Sequence, residues 1–312
     1  MLISVCIPCY RSAKTLPVLV SDIKEEFSKR NDDYEIILVN DGSPDDTFEI
    51  IKQLCADDKK IIGVDLMRNY GQASAKLEAI RHAKGDAVVF MDDDGQHPAK
   101  YIFALTDKLI EGGYDVVYAH LVNKTHSSTR NLTSYIYNKV AVAVGVKPKG
   151  IHTSSFAAYS SDVARKIREY RSPFVSLGGY VRHLTNKYAE VDIEHGKRIA
   201  GKTNYTFSKR LRMFKNIFFS FTMIPLQVAT TFGSILSLAG FVGVIYLLIH
   251  KILHPNMPMG YTSTNIIMLL IGGVLLITIG IVGEYIGRIY MTISGMPQST
   301  VRTVINEEQD IE

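Results

Sequence analysis

Two long runs without a charged residue limit what this chain can fold into more than any other feature. They span residues 228–249 and 266–283, and each is close to the roughly 20 apolar residues that a helix needs to cross a bilayer. Two helices buried in the core of a soluble protein are the alternative. Gly, Ser and Thr within both runs suit close helix contact in lipid, and the sequence therefore predicts two C-terminal transmembrane helices.

Charged residues are distributed unevenly around the two runs. No Asp or Glu lies between Glu194 and Glu284, whereas seven Lys and Arg residues lie within residues 197–215. The loop between the runs carries the single Lys251. Because Lys and Arg accumulate on the cytoplasmic side of membrane spans, we expect an integral inner-membrane protein with two spans, whose large N-terminal region and both termini are cytoplasmic. The basic segment also suits anionic lipid headgroups or a phosphate ligand.

The first 120 residues alternate strand-like and helix-like segments. This alternation is typical of a mostly parallel sheet covered by helices on both faces, in which ligands bind at the carboxyl ends of the strands. No Gly-x-Gly-x-x-Gly follows the first strand, which disfavours a dinucleotide-dependent dehydrogenase. Four polar clusters follow predicted strands, at residues 8–12, 40–46, 68–72 and 92–97. The predicted strands are residues 2–8, 34–39, 61–67, 86–91, 115–119 and 190–193, and the predicted helices are residues 15–27, 47–56, 71–83, 101–111, 134–144 and 162–168.

Two of the three cysteines, Cys6 and Cys9, have Cys-x-x-Cys spacing. A redox dithiol normally opens a helix, where the helix dipole lowers the thiol pKa, but Cys6 lies in a predicted strand and Cys9 follows a proline. No second Cys or His pair stands at zinc spacing. Redox chemistry and metal binding at this pair are therefore both disfavoured, and the sparse cysteines fit a reducing cytosol.

The most informative segment is the acidic triplet Asp92, Asp93 and Asp94, which comes directly after a predicted strand. Three adjacent carboxylates repel one another, which costs stability unless a cation is present. Alternate residues of an extended chain point the same way, so Asp92 and Asp94 can share one face while Asp93 turns away. Two carboxylates on one face suit Mg²⁺ or Mn²⁺, whose other positions accept water and phosphate oxygens. A solvated acidic loop is the alternative.

Residues 40–47, Asn-Asp-Gly-Ser-Pro-Asp-Asp-Thr, form a strong turn signal after the second predicted strand. The turn offers acceptors for a base or for ribose hydroxyl groups. Asp45 and Asp46 can instead cap the next helix, where a carboxylate favours the N-terminal dipole. Asp41 lies nearer the strand end, so capping explains it less well.

The order and spacing of several short motifs resemble the family 2 glycosyltransferases with a GT-A fold. More narrowly, they resemble the polyprenyl-phosphate branch, which includes dolichyl-phosphate mannose synthase and bactoprenyl-phosphate glucosyltransferases. The resemblance covers nearly the whole chain. It rests on Pro-x-Tyr at residues 8–10, an acidic Gly-Ser turn at 39–43, Arg-Asn-x-Gly at 68–71, Asp-x-Asp-x-Gln-His-Pro at 92–98, an Arg-x-x-Gly segment at 198–205 and a signature at 283–290 that ends the second span.

The resemblance implies an α/β protein with a GT-A, Rossmann-like domain built on a mostly parallel sheet, followed by the two transmembrane helices. We expect the GT-A domain at residues 1–206, interfacial helices at 207–226, the membrane anchor at 227–290 and a cytoplasmic tail at 291–312. Such an enzyme transfers a sugar, with inversion, from a nucleotide-diphosphate sugar to a polyprenyl phosphate. A UDP-sugar and undecaprenyl phosphate are the expected substrates, and the product is a lipid-linked sugar for the cell envelope. No nucleic acid partner is expected, and the paired spans allow a homo-oligomer.

The resemblance also implies the residues of the site. Arg198 and Lys202 can hold either phosphate, whereas Arg130, a further candidate for the lipid phosphate, can equally be a surface residue. We expect the nucleotide-sugar at Pro8, Tyr10, Asp41, Arg68, Asp92, Asp93 and Gln96, the lipid phosphate at Arg130, Arg198 and Lys202, a Mg²⁺ or Mn²⁺ ion at Asp92 and Asp94, and catalysis at Asp92, Asp94 and Arg198.

Several positions depart from the pattern of close relatives. Arg11 and Ser12 stand where Asn-Glu is usual, and Asn40 replaces the first acid of the Gly-Ser turn. Ser155 and His120 replace an acidic and a basic residue. These changes cluster where the donor or the acceptor is held, and they indicate an unusual sugar or a divergent subfamily.

Two other functions are compatible with the sequence. A transferase of the same fold that acts on a glycan hydroxyl would need a general base, but His97 precedes Pro98 at a helix start and is expected to be structural. The other is a non-catalytic membrane scaffold that retains nucleotide binding, against which the intact acidic triplet argues. Glu284 and Arg288, four residues apart, are expected to form a local ion pair.

Overall fold

The chain is divided into two compact units. One comprises Met1–Ile217 together with Pro297–Glu312, and the other comprises Phe218–Met296. The first unit therefore takes in both ends of the chain, while the second contains both uncharged runs. The structure, a computed structural model, describes residues 1–122, 148–194, 224–253 and 260–307.

An eight-stranded sheet organises the first unit. Its strands are β1 (Leu2–Cys9), β2 (Asp33–Asn40), β3 (Ile61–Leu66), β4 (Ala87–Phe90), β5 (Val116–Leu121), β6 (Ala157–Ser160), β7 (Tyr188–Ile193) and β8 (Val301–Ile305). Their order across the sheet is β7-β5-β6-β4-β1-β2-β3-β8. The four central strands β4, β1, β2 and β3 are parallel, as are β5 and β7, whereas β6 and β8 run antiparallel to their neighbours. The α/β class predicted from the sequence is confirmed.

Helices cover both faces of this sheet. Those described in the first unit are α1 (Leu16–Ser28), α2 (Thr47–Asp57), α3 (Gln72–His82), α4 (Ile102–Glu111), α5 (Ser161–Arg168) and α6 (Leu177–Leu184). α1, α2 and α4 pack into one core, and α3, α5 and α6 pack into the other. Alternate residues of β1 enter different cores, Val5 one and Cys6 the other. Burial on both faces is why the central strands are nearly continuous apolar runs.

The strands β6 and β8 and the helix α6 are not predicted from the sequence. β6 is a four-residue segment, Ala-Ala-Tyr-Ser, with little of the β-branched pattern that marks a strand. β8 lies within residues 291–312, expected to be a tail, and it pairs with β3 from far earlier in the chain. Its residues, Val-Arg-Thr-Val-Ile, are mostly β-branched and favour a strand, but nothing local indicates its pairing with β3. The predicted helix at 134–144, and all but the last three residues of the interfacial segment 207–226, lie outside the described residues.

The second unit consists of two long helices, α7 (Ile224–Leu253) and α8 (Tyr261–Ile293). Each contains a window that is long and apolar enough to cross a membrane. Only 0% and 6% of these windows are buried in the described chain, which gives no support to the alternative of buried core helices. Arg288 Nη2 lies 2.8 Å from Glu284 Oε1, which is the ion pair expected there.

Side chains around β8 fasten the C-terminal segment to the rest of the first unit. Ser299 Oγ donates to Glu78 Oε2 on α3 at 2.5 Å, and Gln298 Nε2 donates to two backbone carbonyl oxygens ahead of α6 at 3.0 and 2.7 Å. Burial alone would raise the pKa of Glu78. Hydrogen bonds from His82 and Ser299 and the charge of Arg81 outweigh burial and lower that pKa to about 2. The ionised form of Glu78 therefore stabilises the fold.

Glu78→Gln is expected to lower the free energy of unfolding at pH 7 by up to about 3 kcal/mol, since each pKa unit is worth about 1.4 kcal/mol. The folded-state pKa is the lower one, falling from 4.5 to about 2. The stabilisation by ionised Glu78 is thus complete above about pH 4.5 and is lost as the pH falls toward 2. Thermal melts of the wild type and the variant should therefore differ less at pH 3 than at pH 7.

The control for this prediction is Glu49→Gln, which breaks an exposed ion pair with Lys52 on α2. It should change the stability by less than about 1 kcal/mol at either pH. If Glu78→Gln lowers the stability equally at the two pH values, the role assigned to its charge is wrong.

Candidate active site

The four polar clusters of the sequence meet at the carboxyl ends of β4, β1, β2 and β3, which are adjacent in the sheet. Hydrogen bonds join each cluster to the next. Arg11 N donates to Ser43 Oγ at 3.1 Å, between the ends of β1 and β2. Tyr70 N donates to Asp41 Oδ1 at 2.6 Å, between the ends of β2 and β3. The structure thus brings the clusters together at one sheet edge, as the strand pattern predicts.

Asp93 joins the end of β4 to the end of β1. Its Oδ2 accepts hydrogen bonds from Tyr10 N at 3.0 Å and from the Ser12 hydroxyl. Burial raises the pKa of Asp93 despite these two hydrogen bonds, and the neighbouring charge of Asp92 raises it further. Asp93 and Asp94 form a turn rather than an extended chain. The alternating side-chain directions of a strand therefore do not apply to Asp93 and Asp94. Asp93 lies toward β1 because of its hydrogen bonds with Tyr10 and Ser12.

Asp92 is held by α3 and by the segment before β6. Its Oδ1 accepts from Gln72 Nε2 at 2.7 Å, and its Oδ2 accepts from Ser155 Oγ at 2.5 Å. Lys76 Nζ lies 3.5 Å from Asp92 Oδ1. Burial would raise the pKa of Asp92, but Lys76, His97 and Ser155 outweigh burial and lower it. Asp92 is thus an ionised carboxylate with both oxygens hydrogen-bonded to the protein.

The rest of the loop after β4 is held by backbone contacts and by a ring stack. Gln96 N donates to Asp94 Oδ1 at 3.0 Å. His97 is buried, its ring stacks on Phe156 with 4.9 Å between centroids, and its Nδ1 accepts from Asp92 N at 3.0 Å. These contacts give His97 the structural role expected from its place before Pro98.

Asp41 supports the loop that follows β3. It is buried, and its two oxygens accept from Tyr70 N at 2.6 Å and from Gly71 N at 2.9 Å. Burial raises the pKa of Asp41 to about 6 despite these two backbone hydrogen bonds. Asn40, which replaces an acid of the family pattern, donates from Nδ2 to Asp65 Oδ1 at 2.7 Å. Asp41 therefore holds the loop after β3 in place, and Asn40 joins the end of β2 to β3.

Gly42 allows the loop after β3 to approach the turn after β2. Its φ is +58°, and a Cβ at this position would lie 2.4 Å from the Arg68 carbonyl carbon and 2.5 Å from Asn69 N. Both are backbone atoms, so a side chain here would displace the loop. Arg68 itself is exposed, and its guanidinium lies 4.7 Å from the centroid of the Tyr70 ring.

The remaining residues predicted for the site fall into two groups. Pro8 is buried in β1, and Tyr10, just past the strand, is 38% exposed. Arg130, Arg198 and Lys202 lie outside the described residues. The structure therefore describes the part of the predicted site that surrounds the acidic triplet.

Lys76 is a residue of the site that the sequence motifs miss. It lies four residues after Gln72 on α3, so the two side chains share a face of the helix, and this spacing is the signal that would have found it. Its Nζ donates to the Ser155 carbonyl oxygen at 3.0 Å. Ser155 stands out in the sequence only as a departure from the family pattern, yet its hydroxyl reaches Asp92.

The donor set at the end of β4 fits a hard divalent cation. Mg²⁺ typically takes one or two protein carboxylates and completes its shell with water and phosphate oxygens. Asp92 and Asp94 supply carboxylate oxygens, and Asp92 is ionised. A diphosphate that approaches this edge of the sheet would supply the oxygens that the protein does not.

Comparisons with known sequences cover most of the chain. A family model described as glycosyl transferase family 2 matches residues 4–168, and one described as GtrB C-terminal hairpin matches residues 224–289. An undecaprenyl-phosphate 4-deoxy-4-formamido-L-arabinose transferase of Photorhabdus laumondii is 28% identical over 98% of this chain and 95% of its own length. An uncharacterized glycosyltransferase of Synechocystis is 31% identical over 95% of this chain and 93% of its own length.

The fold of the chain is also similar to that of solved structures. Glucosyl-3-phosphoglycerate synthase from Mycobacterium tuberculosis, in complex with Mn²⁺, UDP and phosphoglyceric acid, matches with a TM-score of 0.50 and 18% identity. The match covers 69% of this chain and 75% of that one. At this identity the likeness shows the fold alone, and it confirms the GT-A fold expected from the motifs.

Gly42→Ala is expected to destabilise the protein more than Gly113→Ala, by at least about 1 kcal/mol. Both glycines have positive φ, +58° and +61°, but nothing lies within 4 Å of a Cβ at Gly113. Both variants therefore lose roughly 1–2 kcal/mol of stability, because alanine disfavours the left-handed backbone conformation. Only in Gly42→Ala does the new Cβ also clash with the backbone of residues 68–69. Thermal or denaturant melts give the two losses, and equal losses would contradict the close approach of the two loops.

Proposed function

The chain belongs to glycosyl transferase family 2, and on that premise we propose that it transfers a sugar from a nucleotide-diphosphate sugar to a polyprenyl phosphate. The observation that carries the proposal is the acidic triplet held at the carboxyl ends of four adjacent strands, in a chain with two candidate membrane helices. Two relatives that are similar to this chain over nearly its whole length are named as undecaprenyl-phosphate transferases. Their names support a lipid acceptor. The expected product is a lipid-linked sugar for the cell envelope.

We assign the metal of this reaction to Asp92 and Asp94. Each oxygen of Asp92 accepts one hydrogen bond, from Gln72 or from Ser155, and keeps a second lone pair for an ion. Mg²⁺ or Mn²⁺ bound there would neutralise the departing diphosphate as a Lewis acid. Lys76, 3.5 Å from Asp92, keeps that carboxylate ionised and in position.

The nucleotide part of the donor is assigned to the ends of β1, β2 and β3. Proposed contacts are the exposed ring of Tyr10, the exposed guanidinium of Arg68 and the loops that Asp41 holds. The mixed hydrogen-bonding surface there suits a base and a ribose, and UDP is the proposed nucleotide. Pro8, Asp93 and Gln96 complete the predicted set of nucleotide-sugar residues.

The acceptor chemistry follows from the charge of a phosphate monoester. Its second pKa is about 6, so at neutral pH it is mostly a dianion and needs no strong general base to attack the anomeric carbon. Attack opposite the departing diphosphate inverts that carbon. Arg198 and Lys202 are proposed to hold the phosphates, with Arg130 as a further contact to the lipid phosphate. The seven basic residues within 197–215 support this assignment.

The reaction is proposed to take place at the cytoplasmic face of the inner membrane. The basic residues that precede the first candidate span outnumber Lys251 between the two spans, which by the positive-inside rule favours a cytoplasmic catalytic domain and cytoplasmic termini. The same proposal assigns catalysis to residues 1–206, the membrane interface to 207–226, the membrane anchor to 227–290 and the last segment to 291–312. A homo-oligomer is compatible with it.

A panel assay on the purified full-length chain in detergent tests the proposed function. UDP- and GDP-sugars are offered with undecaprenyl phosphate and Mg²⁺ or Mn²⁺, and the lipid product is identified by mass spectrometry. At least one UDP-sugar is expected to yield a glycosylated lipid. Asp94→Asn should lower the rate by about a hundredfold or more, because metal assistance contributes several kcal/mol.

Asp22→Asn, at an exposed position on α1, is the matched control and should react at the wild-type rate. No lipid product from any nucleotide-sugar would refute the proposal. Sugar transfer to a glycan hydroxyl in place of the lipid would favour the hydroxyl-acceptor alternative. Nucleotide binding with no transfer to any acceptor would favour the scaffold.

A further inference from the structure

A cluster of two histidines and two carboxylates lies at the β7 edge of the sheet. His120 belongs to β5, and Glu190 and Asp192 belong to the parallel neighbour β7, where Asp192 is the register partner of His120. His152 comes from the segment that leads into β6. β5 and β7 are the second and third strands away from β4, so these residues are separate from the group around Asp92.

Three of these side chains converge. His120, His152 and Glu190 each offer a ligand atom within 4.8 Å of those of the other two. Among the residues that the structure describes, no other three His, Cys, Asp or Glu side chains meet this condition. The two imidazole rings stack, with 4.3 Å between centroids and 20° between planes. Two nitrogen donors and one carboxylate are therefore grouped within reach of a single ion.

Neighbouring groups fix the orientation of these ligands. His120 Nδ1 donates to Asp192 Oδ1 at 2.8 Å, so in the neutral ring Nε2 carries the lone pair. A carboxylate behind a histidine ligand sets the tautomer in this way in metal sites. The His152 backbone N–H donates to Glu190 Oε1, and Lys108 Nζ donates to the Glu190 carbonyl oxygen at 2.7 Å.

Two separate surface ion pairs are the simpler explanation of these contacts. His152 Nδ1 lies 3.2 Å from Glu190 Oε1, and exposed pairs contribute only about 0–1 kcal/mol. Ion pairing explains why each histidine has a carboxylate beside it. It does not explain why the ligand atoms of His120, His152 and Glu190 all lie within 4.8 Å of one another. A shared cation explains this convergence and the carboxylate of Asp192 behind His120.

We propose that His120, His152 and Glu190 bind a divalent transition-metal ion of the Zn²⁺ type, with Asp192 as the residue that orients His120. Imidazole suits Zn²⁺ and related ions, whereas Mg²⁺ prefers oxygen donors. Tetrahedral Zn²⁺ spaces its ligand atoms by roughly 3.4 Å and takes water as a fourth ligand when three protein ligands are present. The His152 side chain is 69% exposed, and binding requires it to rotate out of its stack on His120, so that the ion lies in the plane of both rings.

The bound ion would restrain the segment that holds Asp92. His152 lies three residues before Ser155, whose hydroxyl donates to Asp92 Oδ2 at 2.5 Å, and the next residue, Phe156, stacks on His97. The ion is thus structural and distinct from the one proposed at Asp92 and Asp94. The site stands on its own geometry, and only its effect on sugar transfer rests on the proposed function.

Co²⁺ binding to the full-length chain tests the site. The protein is purified in detergent without a polyhistidine tag, stripped with EDTA and returned to excess Mg²⁺. Titration with Co²⁺, followed by its visible absorption and by metal analysis after dialysis, is expected to show about one tightly bound ion per chain. Zn²⁺ should displace the Co²⁺, and further Mg²⁺ should not.

Single substitutions separate this site from the one at β4. His120→Asn and His152→Asn should each weaken Co²⁺ binding at least about tenfold, and Asp192→Asn about ten- to a hundredfold. Asp94→Asn is the matched control and should leave the Co²⁺ titration unchanged. Since His152 and Asp192 are largely exposed, melts of the metal-free His152→Asn and Asp192→Asn variants should coincide with the wild type.

Either of two results would overturn the proposal. One is a wild type that binds Co²⁺ no more tightly than His152→Asn. The other is an Asp94→Asn variant that loses the ion while the histidine variants keep it. Neither result depends on whether the chain transfers a sugar, so failure of this site and failure of the proposed function can be told apart.

Discussion

The candidate active site depends on the carboxylate of Asp93, which accepts from Tyr10 N and the Ser12 hydroxyl and so joins the ends of β4 and β1. The three acids of the triplet therefore have different surroundings, which reduces the repulsion between their carboxylates. Burial raises the pKa of Asp93. Burial acts on Asp92 in the same direction, but Lys76 and its other partners hold the pKa of Asp92 low. Asp93 thereby serves the contact between two strands, and Asp92 and Asp94 are the members proposed as metal ligands.

Helix α3 links this site to the C-terminal segment. Near its start, Gln72 and Lys76 hold Asp92, and farther along the same helix Glu78 accepts from Ser299, just ahead of β8. The chain therefore returns to the first unit after α8 and packs against the helix that positions the acidic triplet. This return gives the C-terminal segment a structural part in the first unit.

The parts of the fold that could be predicted are those with local signals. β1 to β5 and α1 to α4 each carry their own apolar pattern, and the acidic triplet follows β4 in the sequence as it does in space. The residues of β8 are mostly β-branched, but its antiparallel pairing with the distant β3 could not be predicted from them. The same limit hides the contacts of Lys76 with Ser155 and of His120 with His152, since each joins residues far apart in the chain. Arg130, Arg198 and Lys202 stay predictions on the acceptor side.

Calorimetric titration of UDP, with and without Mn²⁺, tests the division of roles within the triplet most directly. We expect Mn²⁺ to raise the UDP affinity of the wild type and of Asp93→Asn, while Asp93→Asn melts at a lower temperature because it weakens the contact between β4 and β1. For Asp94→Asn, whose amide oxygen can still accept from Gln96 N, we expect a smaller loss of stability than for Asp93→Asn and the same UDP affinity with and without Mn²⁺. An Asp94→Asn variant whose UDP affinity still rises with Mn²⁺, or an Asp93→Asn variant that loses this rise with no loss of stability, would contradict the assignment.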